Sequence, residues 1–252
     1  MLPFRETVAS IVLLLACASC REGRHSEEAE GYRDRFSVDP GSLKSEGTST
    51  FFPLVPGTVR VYRDEDETVT ITVLAETRVV DGVTTRVIEE REEEDGKLKE
   101  VSRNFFAICA KTNDVFYFGE EVDEYEDCEI VSHGGAWLAG EDGAQPGIIM
   151  PGTFLLGARY FQEIACDVAM DRGENTAMGL TIETPYGVLE DCVEVIETSP
   201  LEPGSESRKV YAPGIGLVID SDAELVDVIE HVGGDDEDEG CEPGGDEDGS
   251  ND

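Results

Sequence analysis

Six carboxylates fall between Glu120 and Asp127, at Glu120, Glu121, Asp123, Glu124, Glu126 and Asp127, and oxygen donors this dense are what calcium prefers. Glu121, Asp123 and Glu124 are the candidate ligands. The stretch lacks a DxDxDG loop, so a site here is weak and salt-sensitive, and a solvated acidic turn accounts for the same residues. Zinc needs three or four convergent nitrogen or sulfur ligands. His133 lies five residues after Cys128, but no CxxC or HxxxH spacing accompanies it. For nucleophilic catalysis there is no GxSxG elbow, and Ser132 beside His133 puts the pair on opposite faces of a strand. No Walker or GxGxxG phosphate loop is present. Carboxylates are so abundant that no acid–base pair stands out, and glycosidase chemistry would need a set separation within a cleft. Phe116, Tyr117, Trp137 and Tyr160 are candidates to line a ligand cavity, against the commoner use of such rings as core.

These residues must be positioned by strands, because the apolar pattern is of period two. Val69, Ile71 and Val73 alternate with Thr68, Thr70 and Thr72, one face apolar and the other polar. Asp81-Gly82 and Asp95-Gly96 separate β-rich runs as hairpin turns do, since glycine accepts positive φ. The Glu89–Glu94 run reads as the solvated end of such a hairpin. From Val115 to Phe118 both faces are apolar, as in a strand covered on two sides. Gly134 to Pro151 reads as a long connection crossing between parts of the sheet. No long segment has a helical period, and Ala223 to Val232 is assigned as a last strand. The fold class expected is all-β: an antiparallel meander forming a curved sheet, half-barrel or sandwich.

The N-terminus bears on the compartment. Val8–Ala16 is a short apolar run behind Arg5, below the ~20 residues of a membrane span, and reads as an export signal. Leu14-Leu15-Ala16-Cys17 resembles the bacterial lipobox, which implies cleavage before Cys17 and diacylglycerol on its sulfur; Cys20 offers a poorer frame, and plain secretion is the remaining alternative. Six cysteines then remain of seven. Cys109 and Cys128 flank a strand, about 15 Å apart over five residues, beyond the ~7 Å limit for a bridge. Cys166 and Cys192 could meet on neighbouring strands, while Cys20 and Cys241 lie in polar segments. The expected organisation is a signal peptide (1–16), a lipidated cysteine with a disordered tether (17–50), one β domain (51–232) and an acidic tail (233–252). Lys plus Arg total 19 against 57 Asp plus Glu, a net charge of -38 that repels phosphate backbones, so nucleic acid is not an expected partner. The tail from Asp235 holds ten of those carboxylates, so the folded body is itself acidic.

Several blocks occur together: Phe52-Pro-Leu-Val-Pro-Gly57, Phe116-Tyr-Phe-Gly-Glu-Glu-Val-Asp-Glu-Tyr-Glu126, Ser132-His-Gly-Gly-Ala-Trp137, Gly147-Ile-Ile-Met-Pro151, Thr198-Ser-Pro-Leu-Glu-Pro-Gly204 and Tyr211-Ala-Pro-Gly-Ile-Gly-Leu-Val218. In order and spacing they resemble a family of exported bacterial proteins, many with lipoprotein-like signals. The resemblance spans about Phe51 to Val228 and implies one domain, with no catalytic residue, cofactor or ligand to transfer. Cys109 and Cys128 depart from it, standing where polar or glycine residues are expected, which leaves the role of their thiols open. The expected function is a lipid-anchored cell-envelope protein with a non-catalytic binding or structural β domain, its membrane partner reached through the anchor. The alternatives are a carrier of a small apolar ligand and a hydrolase.

Overall fold

The computed structural model describes residues 31–230, where every regular element except one 3-10 turn at Pro40–Ser42 is a β-strand. Three short strands come first: β1 (Leu43–Lys44), β2 (Gly47–Thr48) and β3 (Pro53–Leu54). A meander of long strands follows, β4 (Thr58–Asp64), β5 (Glu67–Val80), β6 (Val83–Glu94), β7 (Lys97–Cys109) and β8 (Val115–Glu126). Short strands β9 (Glu129–Ser132), β10 (Trp137–Leu138) and β11 (Gln145–Met150) then pair in turn along the free edge of β8. The second half comprises β12 (Arg159–Phe161), β13 (Glu163–Ile164), β14 (Arg172–Thr184), β15 (Gly187–Thr198), β16 (Ser207–Ala212), β17 (Gly216–Asp220) and β18 (Ala223–Glu230).

Two long-range pairings turn this meander into a nearly closed antiparallel barrel. β18 returns to β4, with Leu225 opposite Tyr62 and Val228 opposite Arg60. β12 pairs with β14, β13 pairs with β11, and only Gln162 separates β12 from β13. One segment, Arg159–Ile164, therefore supplies both ends of the sheet. This satisfies backbone groups that an open sheet would leave on exposed edges.

The N-terminal segment fills one end of the barrel. β1 pairs with the end of β7, Phe36 packs edge-on to Phe116 at 6.0 Å, and Phe52 enters to meet Phe106 at 5.1 Å and Tyr211 at 6.5 Å. Arg86 holds this plug. It is 1 % exposed; its Nε donates to Ser45 O at 3.1 Å, its Nη2 to Glu46 Oε1 at 2.6 Å, and its Nη1 to Ala75 O at 2.7 Å. Ala75 lies where the β5–β6 register shifts between Val73 and Thr77, so the guanidinium serves carbonyls that the sheet leaves unpaired.

Several expectations change. Residues 31–50, expected as part of a tether, are part of the described fold, with Leu43 and Ser49 buried against the barrel. Residues 134–151 do not cross the sheet; β10 and β11 both stay on β8. The acidic residues after Phe118 lie within β8, and the turn is confined to Asp127–Cys128. Cys109 is free, as the strand geometry requires of a Cys109–Cys128 pair, but Cys192 is also free while Cys166 and Cys128 are disulfide-bonded, so no Cys166–Cys192 bridge forms. Residues 1–30 and 231–252, including Cys17, Cys20 and Cys241, lie outside the described residues.

Arg86→Leu strips the plug and the β5 irregularity of their shared donor, leaving buried carbonyls unpaired at ~1–3 kcal/mol each. The expected result is a loss of about 3 kcal/mol or more in urea denaturation. Arg86→Lys should recover only part of it, because an ammonium cannot fork between both segments.

Candidate functional site

Strand alternation aims a graded set of side chains at the barrel interior. Register places Arg60, Ile71, Glu90 and Ser102 in one inward row across β4 to β7, and Tyr62, Val69, Glu92 and Glu100 in the next. Toward the plugged end the rows become aromatic, with Arg86, Phe106 and Tyr117 in register. On the opposite wall Lys209 and Tyr211 of β16 share parity, and both face in with Val195 and Val193 opposite them on β15.

A cavity of about 200 Å³ lies between these walls. Phe52, Phe106, Tyr117 and Tyr211 form its aromatic floor, with Phe106 and Tyr117 stacked at 4.8 Å and Trp137 edge-on behind Tyr117 at 5.3 Å. Arg60 closes this end, its Nε donating to Ile215 O at 2.6 Å. Glu90, Glu197, Lys209 and Asp220 line the other side. Beyond them is a mouth of about 390 Å³ that shares Tyr62, Ile71, Glu90, Lys209, Leu217 and Asp220 with the cavity and adds Asp64, Glu67, Glu92 and Asp222. An apolar cavity of ~150 Å³ already admits benzene, so the inner chamber suits a ligand with a single ring.

The charges in this chamber are unevenly matched. Lys209 Nζ contacts Asp220 Oδ1 and lies 3.8 Å from Glu197 Oε2. Burial works to lower its pKa, but the carboxylates of Glu197 and Asp220 outweigh burial and hold it above the usual lysine value. Glu197 is raised by burial against the pull of Lys209 and of Gln162, whose Nε2 donates to it at 2.5 Å. Burial, with repulsion from Glu92 and Asp220, pushes Glu90 up to about 8. Burial and repulsion from Glu100 and Glu67 push Glu92 up to about 7. Glu90 is half-buried, its carboxyl facing the cavity, and no hydrogen bond reaches that carboxyl among the described residues.

Two of the proposed calcium ligands, on one face of β8, already have partners, and the third is on the other face. Glu121 pairs with Arg78, Asp123 Oδ1 meets His133 Nδ1 at 2.8 Å, and Glu124 lies on the other face of β8. No group of three or more His, Cys, Asp or Glu converges to hold a metal among the described residues. Glu120 differs because β8 bulges at Phe118–Gly119, between the pairs Phe106–Tyr117 and Asn104–Glu120. The bulge turns Glu120 to the same side as Tyr117 and Trp137. Gly119 is required there: its φ is +134°, and a Cβ would come 2.4 Å from Trp137 O. Burial raises Glu120 to about 7, opposed by the neighbouring Tyr117 hydroxyl, which donates to Asn104 Oδ1 at 2.6 Å.

Of the aromatic candidates, Tyr117 lines the cavity. Trp137 supports it from behind, Phe116 packs on Phe36, and Tyr160 donates to Asn175 Oδ1 at 2.9 Å. Sequence reasoning missed Glu90, Glu92, Glu197 and Lys209. Glu90 and Glu92 share parity with Ile88, which identifies their face once the strand is known to wall a barrel rather than end a solvated hairpin. Outward positions of these strands are charged and paired, as in Arg103 with Glu89 and Glu76. Searches against protein families, curated proteins and solved structures find no match to this chain.

Because Glu90, Glu92 and Glu120 have pKa values of about 8, 7 and 7 in the fold against 4.5 ordinarily, the native state binds more protons than the unfolded one between those limits. Stability is then greatest below the unfolded value and falls as pH rises through 7 to 8. A thermal melt series from pH 5 to pH 9 should show Tm falling by at least ~3 °C, about 1 kcal/mol for a chain of this size. Glu90→Gln should flatten the profile above pH 7.

Proposed function

We propose that this chain is an exported, lipid-anchored binding protein of the cell envelope, without catalytic function, whose barrel interior takes a small molecule with an apolar ring at one end and a protonated amine at the other. The observation that carries the reading is a chamber with an aromatic floor and an unpaired carboxyl at its rim, Glu90, beyond which the mouth adds Asp64, Glu67, Glu92 and Asp222. Lys209 is ion-paired with Asp220 and Glu197 and acts on Glu90 and Glu92 only through its charge at longer range, so a cation arriving at the rim meets two carboxyls that have no hydrogen-bonded partner among the described residues. Its charge would draw those carboxyls into their ionised form, and the ion pair would form in a site of lowered dielectric. The aromatic floor supplies ring stacking and apolar burial for the other end. This gives the expected binding domain a ligand class, and differs from the alternative of a carrier for a small apolar ligand because the walls facing the mouth are ionisable.

Phenethylamine is a suitable probe, with phenylacetate as its oppositely charged counterpart. At pH 7 the amine at millimolar concentration should raise Tm by about 2 °C or more, and the acid should not; equal shifts, or none, would sink the reading. Glu90→Gln should weaken the amine about tenfold, or ~1.4 kcal/mol. The anchor is tested separately: Cys17→Ser should move the protein from the membrane fraction to the soluble one, and unchanged fractionation counts against lipidation at Cys17.

A further inference from the structure

The described chain enters at Gly31 on the flank of the barrel. Arg33 N donates to Arg159 O at 3.0 Å, and Phe161 N donates to Arg33 O at 2.9 Å, so the entering segment is fastened to β12. Immediately before β12 stands the loop Thr153–Gly157, where adjacent Leu155 and Leu156 are 61 % and 58 % exposed. The two leucines are held outward by a built loop. Phe154 turns inward onto Phe51 at 6.0 Å, and Leu155 O accepts from Ala158 N and from Asn175 Nδ2, each at 3.1 Å. Gly157 N donates to Asn175 O at 2.8 Å. Asn175 itself is fully buried, so the loop is braced on the core and its leucines are preorganised in solvent.

The same flank gathers cations in a chain of net charge -38. Arg159 and Arg172 lie over the Tyr32 ring at 5.7 and 4.6 Å, Arg33 lies over Phe36 at 5.5 Å, and Arg33 Nε donates to Arg35 O. Four of the 19 basic residues thus lie on this flank, two of them over Tyr32 and one over Phe36, with Asp34 among them and Glu174 ion-paired to Arg159 at 2.9 Å, while the mouth at the turns of β4–β5 and β17–β18 is acidic.

We propose that this flank, Leu155 and Leu156 with Arg33, Arg35 and Arg159, is a membrane-contact surface that seats the folded body on an anionic phospholipid leaflet. The inference rests on the lipid-anchored reading above and adds a second contact to it. Thirteen residues, 18–30, separate Cys17 from Gly31 and reach at most about 45 Å when fully extended. A span of that length keeps the folded body close to the leaflet, and Gly31, where the described chain begins, lies on this flank. Leucines insert at the headgroup boundary, and exposed arginines bind lipid phosphates through their planar forks while their stems lie on apolar surface. A body with its cations on one flank and excess carboxylates elsewhere is oriented by an anionic surface as well as attracted to it.

Leu155→Trp in the full acylated chain, inserted in phosphatidylethanolamine–phosphatidylglycerol vesicles, places an indole at the proposed contact. Its emission should shift to the blue and be quenched by lipids brominated on the acyl chain. Trp137, 6 % exposed, should not be quenched in the parent protein. Absence of that quenching in vesicle-anchored protein would overturn the surface. In the Cys17→Ser background the parent flank should still give weak, salt-sensitive co-sedimentation, reduced about tenfold by Arg33→Gln with Arg35→Gln and by Leu155→Ser with Leu156→Ser. Equal co-sedimentation of parent and variants would also overturn it. Unchanged melting temperatures of these exposed-site variants establish that they fold. Quenching at position 155 combined with an unchanged membrane fraction for Cys17→Ser would leave the surface standing and reject the anchor at Cys17.

Discussion

The segment Arg159–Ile164 hydrogen-bonds with β14 through its first half and with β11 through its second, so a single run of chain occupies both ends of the sheet. The other features of the interior depend on that double pairing. With both edges occupied, inward side chains lose contact with outer solvent, and the hydration of any carboxylate among them is replaced by protein or by the chamber. Gln162, at the joint between the two pairings and 2 % exposed, makes the connection directly: its amide donates to Glu197, one of the carboxylates that closure buries.

Closure also explains why the N-terminal segment is folded. A barrel of this many strands has an interior too wide for its own side chains to fill, and the space is taken by added chain or left open. Here Phe52 and Pro53 enter at one end, tied down by Arg86, while the opposite end stays open and acidic. The interior consequently runs from aromatic to ionisable along its axis. That gradient is what a ligand with one apolar and one cationic end would match.

The charge of the molecule has two physically different parts. Outward carboxylates such as Glu89, Glu121 and Glu174 are paired with Arg103, Arg78 and Arg159 or bathed in water, where each pair contributes little and salt screens it. Inward ones such as Glu90 and Glu92 are held near neutrality at physiological pH by burial and by one another. The formal charge of -38 therefore overstates what the native barrel carries, and the difference is what a bound cation would restore.

How much of this was legible beforehand differs by residue. Period-two alternation in β5, the Asp-Gly turns and the absence of helical spacing established an antiparallel all-β fold, because those signals are local: side chains alternate and turns need positive φ whatever the rest of the chain does. The same logic excluded a Cys109–Cys128 bridge. Parity could have grouped Ile88 with Glu90 and Glu92, and Lys209 with Tyr211, and the reading of Glu89–Glu94 as a solvated hairpin end passed over it, but parity says only that residues share a face. Which face is inside was decided by β18 returning to β4 and by the double pairing of Arg159–Ile164, contacts between residues more than a hundred positions apart or across an unremarkable short stretch. The bulge at Gly119 that turns Glu120 inward, and the burial of Ser42, Leu43, Ser49 and Leu54 in spite of their polar surroundings, were likewise settled by packing. Sequence by itself determined the strands and their turns; tertiary closure determined which carboxylates are desolvated, because desolvation belongs to the enclosed volume and not to any one strand.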